Sequence, residues 1–115
     1  MLIAAVFFFL LAGFVGIFLL RSILRNEPTQ KPVALIHGSI AGIGLLILLT
    51  YVALGHHSTL ILTCLGLFIL TALGGITLFL FDVTGKPIPK GLAIGHPILA
   101  AASIVTFIVY IVKLF

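Results

Sequence analysis

The sequence predicts an all-α integral membrane protein, a four-helix bundle made of two tandem transmembrane helical hairpins. Three observations carry that reading. With 63% apolar and 7% charged residues, the chain has too little polar surface to show to water, so its solvent is a lipid bilayer. Four uncharged apolar runs, Leu2 to Leu20, Val33 to Leu54, Leu60 to Phe81 and Leu92 to Val112, each come near the roughly 20 residues that cross a hydrocarbon core. Finally, residues 6–51 align with residues 65–110 at an offset of 59. In that register Pro28/Pro87, Lys31/Lys90, Ala34/Ala93, His37/His96, Ala41/Ala100 and Tyr51/Tyr110 are identical, as are Phe9/Phe68, Leu11/Leu70, Gly16/Gly75, Ile17/Ile76 and Leu19/Leu78. Matches among leucine, isoleucine and valine come cheaply, but proline, lysine and histidine are scarce here and recur in step. The pattern is an internal duplication. It divides a single transmembrane domain, residues 1–115, into repeat one at about 2–54 and repeat two at about 60–113.

The first run lacks the basic leader of a signal peptide and is followed by Arg21 rather than a small-residue cleavage site. Its alignment with the third run makes it a structural span. The segment from Arg21 to Pro32 holds Asn26, Glu27, Pro28 and Pro32, a composition that stops one helix and starts the next, with Pro32 at a first-turn position. Gly55-His56-His57-Ser58-Thr59 is so short that the second and third helices must be antiparallel neighbours, and Ser58 or Thr59 can cap the third. Asp82 to Gly91, with Gly85, Pro87 and Pro89, repeats the first connection.

Two hairpins of the same orientation imply a pseudo-two-fold axis along the membrane normal, with the second and fourth helices diagonal to each other. The connections after the first and third runs carry Arg21, Arg25, Lys31, Lys86 and Lys90, whereas the opposite side has only Lys113. The positive-inside rule then puts both loops in the cytoplasm and both termini outside, with a bacterial inner membrane as the expected location. Those basic residues also attract anionic headgroups. Glu27 and Asp82 temper the charge of the same loops. Without aromatic interleaving, five cations over two loops do not make a nucleic-acid surface.

Chemistry-bearing residues are few. Cys64 is the one cysteine, which excludes an intrachain disulfide and any cysteine-based zinc or iron–sulfur site, and it reads as a packing residue. No helix is expected to contain a carboxylate, and the motifs of metalloproteases, serine hydrolases and phosphate-binding loops are absent. The chain is therefore expected to have no catalytic activity of its own. Thr50, Thr63, Thr71, Thr77 and Thr106 are expected to bond back to their own helix backbone. Tyr51 and Tyr110 fall near the outer helix ends, where an aromatic belt is expected, and His56 and His57 read as a solvated pair.

His37 and His96 are the candidate site. His37, Ala41, Gly44, Leu48 and Tyr51 share one helical stripe, and His96, Ala100, Ser103, Phe107 and Tyr110 repeat it. Each histidine thus has small residues beside it for two turns, which suits an axial haem ligand or another metal between the two rings. Diagonal helices lie roughly 11 to 14 Å apart, a gap that two imidazoles with an iron between them span and two imidazoles alone are not expected to close. Lys31 and Lys90, one to two turns away, are placed to meet haem propionates or to snorkel to the interface. The alternatives for the pair are helix packing through imidazole hydrogen bonds and a quinone or lipid contact.

The series P-x-x-K-x-x-A-x-x-H-x-x-x-A, with the turn Gly85-Lys86-Pro87-Ile88-Pro89-Lys90 before the last helix, resembles small uncharacterised four-helix bacterial membrane proteins that carry a duplicated hairpin. The paired inward histidines are similar in ligand pattern to membrane b-type cytochromes. That second resemblance implies haem b and electron transfer, with a departure: many such cytochromes hold two histidine pairs, and this chain offers one. The other function open at this level is a non-catalytic accessory or assembly subunit of a larger respiratory or photosynthetic-type complex, or a homo-oligomer.

Overall fold

A computed structural model describes residues 1–115 as four helices, α1 Leu2–Leu24, α2 Lys31–Ala53, α3 Thr59–Val83 and α4 Lys90–Leu114, with no strands. At 1.5 Å per residue, helices of 23 to 25 residues are long enough to cross a hydrocarbon core of about 30 Å. The bundle measures 43 × 23 × 20 Å. Its outer surface bears large apolar side chains such as Ile3, Phe14, Leu46, Leu70 and Val105. It is a membrane-spanning surface.

Local signals set each helix end. Both basic loops begin with the same stop. Asn26 and its counterpart Gly85 adopt positive φ, 57° and 71°, and the next residue bonds back to the helix, Glu27 N–H to the Ser22 carbonyl at 2.9 Å and Lys86 N–H to the Phe81 carbonyl at 3.0 Å. This is the Schellman arrangement, which satisfies carbonyls that the helix leaves open. Pro32 lies in the first turn of α2, where its missing N–H costs nothing. Ser58 caps α3, its hydroxyl accepting from Ile61 N–H at 3.3 Å. Thr50, Thr63, Thr71, Thr77 and Thr106 all bond to the carbonyl four residues back. Pro97, to which the sequence alone assigns no role, lies inside α4 directly after His96 and leaves the Ala93 carbonyl without its helical donor.

The chain runs up and down. Each helix packs against its sequence neighbours and α1 closes the ring against α4, with tighter packing within each hairpin than between hairpins. The diagonals are α1 with α3 and α2 with α4. Residues 59 apart meet across the centre: Phe9 stacks on Phe68 at 3.9 Å and 10°, and the Tyr51 and Tyr110 hydroxyls are 2.7 Å apart. A rotation axis along the bundle is the symmetry that brings equivalent residues together in this way.

Packing is uneven along that axis. Of 14 buried residues, only Ala93 lies on the basic-loop side of its helix midpoint. The half nearer the termini is closed by Phe9, Phe68 and Phe107, with Phe107 edge-on to both other rings at 6.0 and 5.9 Å. The half nearer the basic loops holds the histidines.

Candidate functional site

His37 and His96 each stand six residues into their helices and face each other across the diagonal. Their ring centroids are 6.2 Å apart with the planes at 85°. This is closer than the expectation from helix spacing, because both side chains reach inward over a glycine. A separation of 6.2 Å lies within the range of aromatic ring pairs.

The glycines decide how each ring is held. A Cβ on Gly16 of α1 would stand 2.9 Å from His37 Cε1, and one on Gly75 of α3 would stand 3.0 Å from His96 Cε1. Each imidazole therefore occupies the space that a side chain on the preceding helix would fill. By sequence alone these glycines read only as general close-packing residues. Their identity in both repeats is the signal for a more specific role.

Hydrogen bonding then sets the ring state on one side. His37 Nδ1 lies 2.8 Å from the Ala12 carbonyl; a carbonyl only accepts, so Nδ1 carries the proton and Nε2 of the neutral ring keeps a free lone pair. His96 differs in degree: its Nδ1 is buried and turned toward the backbone of Thr71, without closing to good hydrogen-bond geometry. The residue equivalent to Ala12 is Thr71, whose hydroxyl bonds to the Leu67 carbonyl and lies 3.2 Å from Ser103 Oγ. The two repeats thus supply matching positions with unequal support.

The flanking residues separate in the same way. Ala41 and Ala100 are partly buried, one turn beyond the histidines on the same stripes. Lys31 is engaged: its Nζ is 2.8 Å from Asp82 Oδ1, and Thr29 Oγ1 donates to Asp82 Oδ2 at 2.5 Å. Asp82 lies in the last turn of α3, so the expectation that no helix carries a carboxylate is corrected. Its position at the helix end, within reach of Lys31, is what allows the charge to be placed there. Lys90 opens α4 and has no ion pair. The residue equivalent to Asp82 in repeat one is Ile23, so only one of the two symmetric lysines meets a carboxylate.

At the opposite end, the tyrosines also depart from the sequence reading. Tyr51 and Tyr110 are 8% and 7% exposed, which makes them interior residues rather than members of an interfacial belt. They continue the inward histidine stripe, and each satisfies part of its polar requirement on the other. His56 remains exposed, its ring stacked on Tyr51 at 3.9 Å.

Fold and geometry together define a four-helix membrane bundle with a diagonal histidine pair on its axis. No family model, curated protein or solved structure matches the chain.

Proposed function

We propose that this protein holds one b-type haem between His37 and His96 and serves electron transfer within a membrane. The carrying observation is the 6.2 Å separation of the rings. Metal–imidazole bonds of about 2 Å, with roughly 1.1 Å from ring centre to nitrogen, put two imidazoles that share one metal roughly 6 Å apart. Perpendicular planes fit such a pair, because each ring turns independently about the shared direction. The His37 tautomer leaves Nε2 free to ligate, with Nδ1–H anchored on the Ala12 carbonyl as ligating histidines require.

The donor set argues for a macrocycle. No group of three or more histidine, cysteine or acidic side chains gathers around a point, so the protein lacks the ligands of a tetrahedral zinc site, whereas His37 and His96 are the two donors that would hold a porphyrin iron. Bound haem supplies a one-electron iron couple. Ala41, Ala100 and the glycines keep bulk away from the rings, and the lightly buried half of the bundle surrounds them. Lys90, free of an ion pair, is the lysine disposed to meet a propionate, whereas Lys31 is neutralised by Asp82.

The site lies toward the basic loops, which on the positive-inside rule is the cytoplasmic side of a bacterial inner membrane, with both termini outside. Single cysteines at Ser58 and Gly85 on a Cys64→Ser background test this by labelling of intact cells. Position 58 is expected to react from outside and position 85 to be protected; the reverse pattern overturns the orientation.

An absorption spectrum of protein purified from haem-replete cells tests the site itself. The expected result is a Soret band that shifts on reduction and is lost in both His37→Ala and His96→Ala. A colourless, folded protein overturns it. One observation favours a second reading, an accessory or assembly subunit of a larger respiratory or photosynthetic-type complex. Gly38 and Gly42 on α2, and Gly91 and Gly95 on α4, have no atom within 4 Å of the place a Cβ would take, so bare helix faces are available to a partner helix. That reading predicts co-purification with other subunits in mild detergent.

A further inference from the structure

We infer that the groove between the end of α1 and the start of α2 is a binding site for the headgroup of one anionic phospholipid. It is lined by Arg21, Ser22, Arg25, Glu27 and Gln30 together with the apolar Phe18, Leu19 and Val33. The inference is independent of the histidine site and rests on charge, depth and asymmetry.

Charge comes first. The single ion pair of the structure is Lys31 with Asp82, so Arg21 and Arg25 stand exposed and unpaired one turn apart. Glu27 rims the groove without approaching either guanidinium to ion-pair distance. Two forks against one carboxylate leave the groove net positive, and guanidinium pairs match the oxygens of a phosphodiester. A headgroup with a net negative charge complements this better than one carrying its own cation.

Depth selects a lipid over free phosphate. Phe14, Phe18 and Arg21 on one face of α1, and Arg25 at its C-cap, follow one another at spacings of four, three and four. Phe14 and Phe18 are 61% and 52% exposed and meet edge to face at 5.4 Å. That face is apolar where acyl chains run and cationic where phosphates lie, the profile of a phospholipid standing against the helix.

Asymmetry fixes the number. The positions of repeat two that match Arg21 and Arg25 are Leu80 and Thr84, and Glu27 matches Lys86, so the equivalent place at the end of α3 has one lysine and no guanidinium pair. One site per chain follows.

Native mass spectrometry of the full chain, released from detergent with dioleoyl phosphatidylglycerol, phosphatidylethanolamine or phosphatidylcholine, tests the inference. One phosphatidylglycerol per chain is expected to be retained in preference to both other lipids. With each basic residue near a surface contributing about 1 kcal/mol, Arg21→Gln with Arg25→Gln is expected to weaken retention by roughly 30-fold. Arg21→Lys with Arg25→Lys should keep part of it, and Lys86→Gln, in the other basic loop, should leave it intact. An unchanged melting temperature in the glutamine variant shows that the bundle is folded. Equal retention of the three lipids, or retention of phosphatidylglycerol that survives loss of both arginines, overturns the inference.

Discussion

Gly16→Ala is expected to destabilise the bundle by about 1–3 kcal/mol, the usual cost of forcing an extra methyl into a filled space. The new Cβ would stand 2.9 Å from His37 Cε1 and 3.3 Å from Nδ1. The ring cannot swing aside freely, because Nδ1–H is held on the Ala12 carbonyl at 2.8 Å. Gly75→Ala approaches His96 slightly less closely, 3.0 Å from Cε1 and 3.7 Å from Nδ1, so a somewhat smaller effect is expected. Gly13→Ala, one turn from Gly16 with no atom within 4 Å, should be neutral or slightly stabilising, since alanine is the better helix former. Unfolding in mixed micelles monitored by circular dichroism gives the order. If Gly13→Ala is as costly as Gly16→Ala, the close approach of His37 to α1 is not what Gly16 provides.

That ordering turns on something the sequence shows only indirectly. In a water-soluble helix, apolar residues mark the face that packs inward; in a bilayer both faces are apolar, and the contrast that periodicity relies on is lost. The four spans, their loops and the tandem hairpins are readable because they depend on run length, on proline and glycine, and on the register of the duplication. Which side of each helix faces the axis is harder to read. Phe9/Phe68, Gly16/Gly75, His37/His96 and Tyr51/Tyr110 are identical across the repeat and do face inward, yet Ile17/Ile76 are equally identical and 63% and 57% exposed. Repetition alone therefore does not distinguish a residue that meets its copy from one that meets lipid.

The tyrosines show the same limit. Their position near a helix end suggests an interfacial belt, and their shared stripe with the histidines suggests an inward direction; the structure follows the stripe. Asp82 departs from expectation for a different reason. Its helix continues to Val83, two residues past the end of the uncharged run at Phe81, because the Schellman stop is set by Gly85 and the chain stays helical until that residue is approached. The partnership of Lys31 with Asp82 is long-range and has no signature in local composition.

The other large effect is expected at Phe107, where alanine should cost about 2–4 kcal/mol. In water, such a truncation loses both transfer free energy and packing. Here the separated helices would still be in hydrocarbon, so the transfer part largely cancels and the packing part remains. Phe107 is 1% exposed, and its removal opens roughly 100 Å³ at about 24 cal/mol per Å³ if the site does not collapse. It also breaks the edge contacts to Phe9 and Phe68, each a favourable arrangement of aromatic rings. Phe107→Leu should be far milder, under about 1.5 kcal/mol, because it preserves most of the volume and restores the residue that repeat one carries at the equivalent place, the fully buried Leu48. Phe14→Ala is the control: at 61% exposure its ring faces lipid, which fills the space left behind, and a change within about 0.5 kcal/mol is expected. Reversible unfolding of the three variants in one detergent mixture gives the comparison. Equal losses at Phe107 and Phe14 would mean that the axial aromatic cluster does not hold the four helices together.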